Sequence, residues 1–456
     1  MKKYWNEEME TIKPEALRRL EGDLLRNQVQ SVYRESEFYC DKYNAAGVSD
    51  VIDRIKDVAD LPQLPFTEKI EFSDGQRDGA LIGPYQRAPM DKIVRIQVTG
   101  GSSGRPLRSA WTRNDNIAHD EMECRSMWSM GCRPGDIVIN CFNYCLYSGG
   151  INTHMGFDAL GAATVSYGVG NSRALLDFIS HLKPPNPICL SSTPSYAVRL
   201  ADLAVEMGLD PRKLGLKAGF FSGEAAMQIP GYRQRIESLW NMPARDDYGA
   251  TEIFGQSADC EHLTGLHYFG AGITAVELID PETGNVKPIA QDATGELVFT
   301  TLTREACPAL RFRSHDFVQT FTDPCPCGRT GFRFKVLGRT DDMISVKGSK
   351  IIPNSIQEII FTMQPRLSGQ FRIVLNDPPP FDYVPVLEVE VARDVPSLGH
   401  EELRAELLQL LRTRSGIHFE IVFVGPGQIT SDNKTRRLHR AYLNTPKATH
   451  DTSRKP

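Results

Sequence analysis

Between residues 117 and 240 the chain switches repeatedly between helical and extended patterns, and no other feature restricts its fold as much. Apolar spacing predicts a helix over 117–130, with Asn114 or Asp115 as its cap. "DIVINCF" reads as a strand, 174–182 as a helix and "PICLSS" as a strand. "SYAVRLADLAVEMG" follows as a helix, "LKAGFFSG" as a strand and Tyr232–Trp240 as a helix. Such alternation implies crossover connections, and therefore an α/β fold of mostly parallel sheets flanked by helices.

The flanks follow other patterns. Residues 7–45 read as helical, with Leu17, Leu20, Leu24 and Leu25 recurring among charges. From about 272, "ITAVELID", "GELVFTTL" and "DFVQTF" read as strands joined by Gly and Pro turns, a small antiparallel β subdomain. Beyond "GRTDDMISVKGSK" a shorter pattern restarts: helix at 354–363, strands at 370–376 and 384–392, helix at 400–414 and strand at 417–424. We expect a large N-terminal body of several subdomains over 1–338, because such a length exceeds one ordinary core. A smaller α+β domain is expected over 339–444 and a disordered polar tail over 445–456.

Composition narrows the partners. Lys and Arg number 52 against 57 Asp and Glu, so no basic excess argues for nucleic acid or an anionic membrane. The N-terminal "MKKYWNEEMETIK" is charged, and nowhere do eighteen apolar residues run together. A cytoplasmic protein acting on small molecules is expected.

"VTGGSSGRPLRSAWT", residues 98–112, admits three chemistries. As a G-x-S-x-G elbow it would make Ser102 a nucleophile, but that motif needs a helix directly after the serine. Here Pro106 and the alternating "LRSAWT" suggest another strand. The nucleotide P-loop needs lysine followed by a hydroxyl residue, where this chain has Arg105 and Pro106. A hydroxyl- and glycine-rich turn between strands remains, ending in a cation that suits phosphate; a solvated hairpin loop would read much the same.

Cysteine and histidine form a second constellation. Cys260 and His267 in "CEHLTGLH", with Cys325 and Cys327 in "CPCG", supply the donors of a tetrahedral zinc site. His262 is a rival ligand, and free buried thiols are the alternative.

Taken together, "TGGSSGRP", "FFSGEA", "DDYGATE", "GELVFTTLTREACPALRFRSHD", "GRTDDMISVKGSKIIP" and "NKTRR" resemble, in order and spacing, the adenylate-forming ligases, in particular the phenylacetate–coenzyme A ligase branch. The resemblance spans residues 60–440. It implies joining of a carboxylate to AMP with release of pyrophosphate, then transfer of the acyl group to a thiol, with ATP, Mg²⁺ and coenzyme A as cofactors and an aromatic acid as substrate. It also implies a mobile C-terminal lid and, as in many relatives, a homodimer. Two rivals stay open: an enzyme whose acceptor is a carrier-protein thiol or an amine, and an inactive nucleotide-binding homologue.

Residue by residue, the resemblance implies a triphosphate loop of Thr99, Gly100, Gly101, Ser102, Ser103, Gly104 and Arg105, with arginine where the family usually has lysine. Gly223, Glu224, Asp246, Tyr248, Gly249 and Asp316 would complete the ATP site; Tyr248 stacks on adenine, Asp246 accepts from its amino group and Asp316 binds ribose. Thr251 would touch the α-phosphate, Glu252 would hold Mg²⁺, Arg339 with Asp316 would bind the ribose hydroxyls and nearby phosphate, and Lys434 would bridge carboxylate and α-phosphate. Asp341 matches the hinge. The acid would lie against Tyr144, Gly149, His154, Ser222 and Ala250. Met155 and Asn152 replace the family's usual tyrosine and glycine, which suggests a larger or more polar acid such as a hydroxy- or aminobenzoate.

Overall fold

The computed structural model describes residues 2–76, 79–99, 107–182, 186–254, 256–346, 349–392, 395, 399–415, 418–429 and 437–443. The chain divides into two compact units, Met1–Val336 and Leu337–Pro456.

The first unit opens with helices α1 (Glu7–Glu10), α2 (Pro14–Glu35), α3 (Glu37–Ala45) and α4 (Lys69–Asp74). The strands β1 (Arg95–Val98) and β2 (Arg108–Trp111) then pair antiparallel, Val98 opposite Arg108. Among the described residues the element that follows β1 is the strand β2, in line with the strand expected over "LRSAWT"; Ser102 itself lies outside the described residues. Next come α5 (Arg113–Ser129), β3 (Ile137–Asn140), α6 (Ser148–Leu160), β4 (Ala163–Ser166), α7 (Ser172–His181), β5 (Ile188–Ser192), α8 (Pro194–Glu206), β6 (Leu216–Phe221), α9 (Tyr232–Trp240) and β7 (Ala244–Tyr248). The cap of α5 is Thr112 rather than Asn114 or Asp115. Its Oγ1 accepts from the Asp115 amide at 3.1 Å, and Asp115 Oδ2 accepts from the Thr112 amide at 3.0 Å, a reciprocal capping box.

Strands β3, β4, β5, β6 and β7 are mutually parallel, as the crossover helices require. The strands β8 (Ser257–Ala258), β9 (Leu266–Tyr268), β10 (Thr274–Ile279), β11 (Val286–Lys287), β12 (Thr294–Thr301), β13 (Phe312–Phe321) and β14 (Arg333–Arg339) carry the antiparallel pairing onward. All join one sheet of order β11-β10-β12-β13-β14-β9-β8-β7-β6-β5-β3-β4. The expected antiparallel strands are thus hydrogen-bonded into the same sheet as the parallel ones, with β7–β8 as the junction. Leu25, Val29 and Val32 of α2 bury one helical stripe in the same core as Leu278, Leu297 and Phe299 of the antiparallel strands.

The second unit holds the hairpin β15 (Ile344–Val346) and β16 (Ser349–Ile351), then α10 (Pro353–Thr362), β17 (Leu367–Leu375), β18 (Val386–Val391), α11 (His400–Ser415), β19 (Glu420–Val424) and β20 (Leu438–Arg440). Its four-stranded sheet has the order β19-β18-β17-β20. Ile356, Ile359 and Ile360 of α10 and Leu403, Leu407 and Leu411 of α11 pack on that sheet, so the unit carries its own core. The tail expected at 445–456 lies outside the described residues. Among the described residues, no helix is long and apolar enough to cross a membrane.

Candidate active site

In a parallel sheet, ligands gather beyond the carboxyl ends of the strands. Of the expected residues of the first unit, Tyr144 and Gly149 follow β3, Ser222, Gly223 and Glu224 follow β6, and Gly249, Ala250, Thr251 and Glu252 follow β7, while Thr99 follows β1 of the separate hairpin and Asp316 lies on β13. Thr99 leaves β1 buried, its amide donating to Leu107 O at 2.9 Å and its Oγ1 accepting from the Leu107 amide at 3.2 Å. These bonds close the base of the loop, while Gly100, Gly101, Ser102, Ser103, Gly104 and Arg105 lie outside the described residues. The Val98 amide donates to Leu146 O at 2.9 Å, tying this base to the segment that leads into α6.

After β7 the chain turns sharply. Gly249 is fixed by close approach: an added Cβ would stand 2.3 Å from Gln256 Oε1. Just before it, the Tyr248 hydroxyl donates to Asp316 Oδ2 at 2.6 Å, and its ring lies edge-on to Phe334. The expected adenine and ribose residues are therefore partners. Asp246 is buried, accepts from Gln228 Nε2, and its amide donates to Asp259 Oδ2 at 2.7 Å. Burial and the neighbouring Asp259 push its carboxyl well above the usual carboxylate range, and burial raises Asp247 to about 7. Ser222, Gly223 and Glu224 follow β6. The Glu224 carboxylate accepts from Ser195 Oγ at 2.7 Å and the Ser195 amide at 3.1 Å, bracing the first turn of α8.

Thr251 and Glu252 are held from behind by Arg304. This fully buried guanidinium donates to Thr251 O at 2.9 Å, to Glu252 O at 2.8 Å and to Ser109 Oγ of β2 at 2.6 Å. It also lies over the rings of Trp111 and Phe254 at 4.9 and 4.5 Å. One side chain thus locks the turn after β7 to the strand that leaves the glycine-rich loop. The Thr251 and Ser148 hydroxyls are hydrogen-bonded, which brings the start of α6 to the same point. Glu252 Oε1 lies 2.9 Å from Lys69 Nζ. Burial alone would raise this carboxyl, but the charge and hydrogen bond of Lys69 hold it below its ordinary range. It is therefore ionised at neutral pH.

On the acid side, Tyr144 OH accepts from Asn140 Nδ2 at 2.9 Å and sits 3.2 Å from His154 Nδ1. His154 Nε2 is 3.1 Å from Asp158 Oδ2. Gly149 and Asn152 lie on α6, and Ala250 lies between Gly249 and Thr251. Met155 accepts from Arg95 Nη1.

Cys260, His267, Cys325 and Cys327 converge, all buried, with ligand atoms within 4.8 Å of one another. Cys260 and Cys325 sulfurs are 3.7 Å apart, and Cys327 Sγ is 3.5 Å from His267 Nε2. A tetrahedron with metal–sulfur bonds of about 2.3 Å has edges of about 3.8 Å, so the donor set fits zinc. His262 is half exposed and faces Glu261; its amide, not its ring, reaches Cys260 Sγ, at 3.4 Å. That excludes it as the rival ligand in this geometry.

Arg339 and Asp341 belong to the second unit, where the guanidinium pairs with the carboxylate through bonds of 2.8 Å. Lys434 lies outside the described residues.

Sequence reasoning missed Lys69, Arg304, Gln228 and the α5 residues His119 and Glu123. Only topology brings Lys69 and Arg304 to the turn after β7. The α5 residues had a signal: Asn116, His119, Asp120 and Glu123 recur at helical spacing and form a stripe. A polar stripe reads as a solvated face, yet His119 and Glu123 are buried and Ile117 is exposed.

No family model matches the chain. It is 29% identical over 452 residues to the phenylacetate-coenzyme A ligase of Thermus thermophilus, covering 94% of this chain and 98% of that one. It is 30% identical over 415 residues to the phenylacetate-coenzyme A ligase of Aromatoleum evansii, covering 89% of each. Among solved structures, a 2-hydroxyisobutyryl-CoA ligase in the postadenylation state with 2-HIB-AMP superposes with a TM-score of 0.87 at 28% identity, over 97% of this chain and 94% of that chain.

Proposed function

Because the chain belongs to the family of phenylacetate-coenzyme A ligases, AMP-forming acid–thiol ligases that make an acyl-adenylate and then an acyl-CoA, we propose that its substrate is an aromatic carboxylic acid, of phenylacetate or substituted-benzoate type. The observation that carries the reading is the turn after β7. There Arg304 fixes the Thr251 and Glu252 carbonyls against Ser109 of β2, Lys69 pairs with the ionised Glu252 carboxylate, and Tyr248, hydrogen-bonded to Asp316, immediately precedes them.

The chemistry brings two anions together, so positive and donor groups must surround the phosphorus. The loop Thr99–Arg105 takes the β- and γ-phosphates, and Arg105 supplies a fork of donors where a lysine would supply a point charge. Tyr248 presents its ring to adenine and Asp316 binds the ribose hydroxyls, their mutual hydrogen bond fixing both. Asp246 with Gln228, and Gly223 and Glu224 after β6, complete the base site. Glu252, with Thr251 beside it, fits Mg²⁺, which prefers one or two carboxylates plus phosphate oxygens and neutralises charge on them. Tyr144, Gly149, His154, Ser222 and Ala250 hold the acid near Thr251. Lys434 brings positive charge to the carboxylate and α-phosphate, Arg339 binds the ribose and nearby phosphate, and Asp341 is the hinge. Cys260, His267, Cys325 and Cys327 hold structural zinc that pins the segment around β9 to the turn before β14.

The test is ATP–pyrophosphate exchange over aromatic and aliphatic carboxylates, followed by product analysis with coenzyme A. Exchange driven by an aryl acid, with acyl-CoA and AMP as products, is expected. Exchange with aliphatic acids alone would overturn the aromatic assignment, and product formation indifferent to coenzyme A would overturn the acceptor.

A further inference from the structure

Behind the turn after β7 lies a buried polar cluster that the adenylation chemistry does not use. Its members come from two helices and the segment before β8. On α5, Asn116, His119, Asp120 and Glu123 fall on one helical stripe. On α6, Asn152 sits one turn after Ser148, whose hydroxyl bonds to Thr251. Gln256 is the residue packed against Gly249. Their internal bonds are few: Gln256 Nε2 donates to Glu123 Oε1 at 2.6 Å, and the side-chain nitrogens of Asn152 and Gln256 each lie 3.4 Å from His119 Nε2.

More of their bonding capacity is unused than used. Asn116 Oδ1, His119 Nδ1, Asp120 Oδ1, Glu123 Oε2, Asn152 Oδ1 and Gln256 Oε1 are buried without a hydrogen-bond partner, although His119 Nδ1 and Asp120 Oδ1 lie 3.9 Å apart and His119 Nε2 lies 3.4 Å from Glu123 Oε1. His119 and Glu123 are each 2% exposed, Asn152 6% and Gln256 8%, so bulk water does not satisfy these four, while Asn116 and Asp120 lie at the partly exposed end of the stripe. A buried polar atom left alone costs about 1–3 kcal/mol, and six of them in one place point to something that pairs with them. Burial holds His119 below and Glu123 above their ordinary ranges, which favours the neutral form of each, a form that pairs with hydroxyl or amino groups.

The cluster shares its walls with the reacting site. His119 stands edge-on to Trp111 and Phe254, the two rings beneath Arg304, and Arg304 carries the Thr251 and Glu252 carbonyls.

We infer that Asn116, His119, Asp120, Glu123, Asn152 and Gln256 form the far end of the acid pocket, and that the acid carries a hydroxyl or amino substituent which they bind. The inference rests on the proposed placement of the acid between α6 and Thr251. It goes beyond it by naming the residues that select the substituent.

The experiment measures kcat/KM for acid-dependent pyrophosphate release with the whole chain. Benzoate and phenylacetate are compared with their hydroxy-, amino- and chloro-substituted forms and with 2-hydroxyisobutyrate. A site built to pair with a polar substituent should favour at least one hydroxy or amino acid over its parent and its chloro isostere by about 100-fold or more. The variant Glu123→Met/Gln256→Met should shrink that preference by about 10-fold or more, chiefly through KM for the acid, with KM for ATP unmoved. Should the variant fail to fold, the ranking of acids by the unaltered chain decides alone. A parent acid used as well as its polar derivatives overturns the inference and leaves the ligase reading intact. Preference for 2-hydroxyisobutyrate over every ring acid supports polar recognition while overturning the aromatic one, and release with no acid at all overturns both.

Discussion

Arg304 concentrates the residue-scale argument. A guanidinium is rarely buried without partners, and this one donates to two carbonyls and a hydroxyl while stacked between aromatic rings. Replacing it with methionine leaves the Thr251 and Glu252 carbonyls without their donor in a dry site. We expect a loss of about 3–5 kcal/mol in urea unfolding, the scale for breaking a buried charged network. Lysine should recover little, because a point donor cannot serve three acceptors set out for a planar fork. If Arg304→Lys matched the native chain in both unfolding and pyrophosphate release, the turn would owe its shape to something else. Nothing in "TREACP" announces this role. A lone arginine reads as surface, and only the register that carries residue 304 under β2 shows otherwise. By contrast, Tyr248 and Asp316 were singled out through the resemblance and the metal-type cluster through its donor types, and the structure brings the members of each group together.

At the scale of elements, legibility followed the strength of the pattern. The helix over Tyr232–Trp240 matches its expected range, whereas α6 and β4 were not read at all. Gly149 and Gly150 occupy the first turn of α6 and lower its helical signal, and β4 is a four-residue edge strand whose residues are only partly buried. Strand β7 shows what a sheet does to charge. It carries Asp246 and Asp247 into the interior next to Asp259, with Arg233 2.7 Å from Asp259. Asp247 is raised from 3.8 to about 7, so between these values the folded chain keeps a proton that the unfolded chain has released. Its contribution is fully present below pH 3.8 and is lost as pH rises through about 7. Asp247→Asn should therefore raise Tm more at pH 8 than at pH 4, with an upper bound of about 4 kcal/mol for the relief. An equal shift at both pH values would show that Asp247 does not carry the titration. The cysteine cluster acts at the same scale, joining residues 260–267 to 325–327. Purified protein should hold about one zinc per chain, and Cys327→Ser should lose it and lower Tm; a metal-free native chain with unchanged Tm would leave only buried thiols.

At the scale of the whole molecule, the residues proposed for nucleotide and acid fall in Met1–Val336, while Arg339, Asp341 and Lys434, proposed for the same reaction, fall in Leu337–Pro456. Such a division makes a testable asymmetry. Formation of the acyl-adenylate sets a carboxylate against a triphosphate, so it needs added positive charge at the α-phosphate. Thioester formation begins from an adenylate whose pyrophosphate has already left, so that demand has gone. Lys434→Ala should accordingly slow acid-dependent pyrophosphate release by about 100-fold or more, the scale for losing one electrostatic contact to a transition state. The same variant should still bind ATP and still convert a supplied acyl-adenylate to acyl-CoA at near the native rate. Equal losses in the two half-reactions would assign Lys434 to holding the second unit together, and an unchanged first half-reaction would move the bridging charge to another residue.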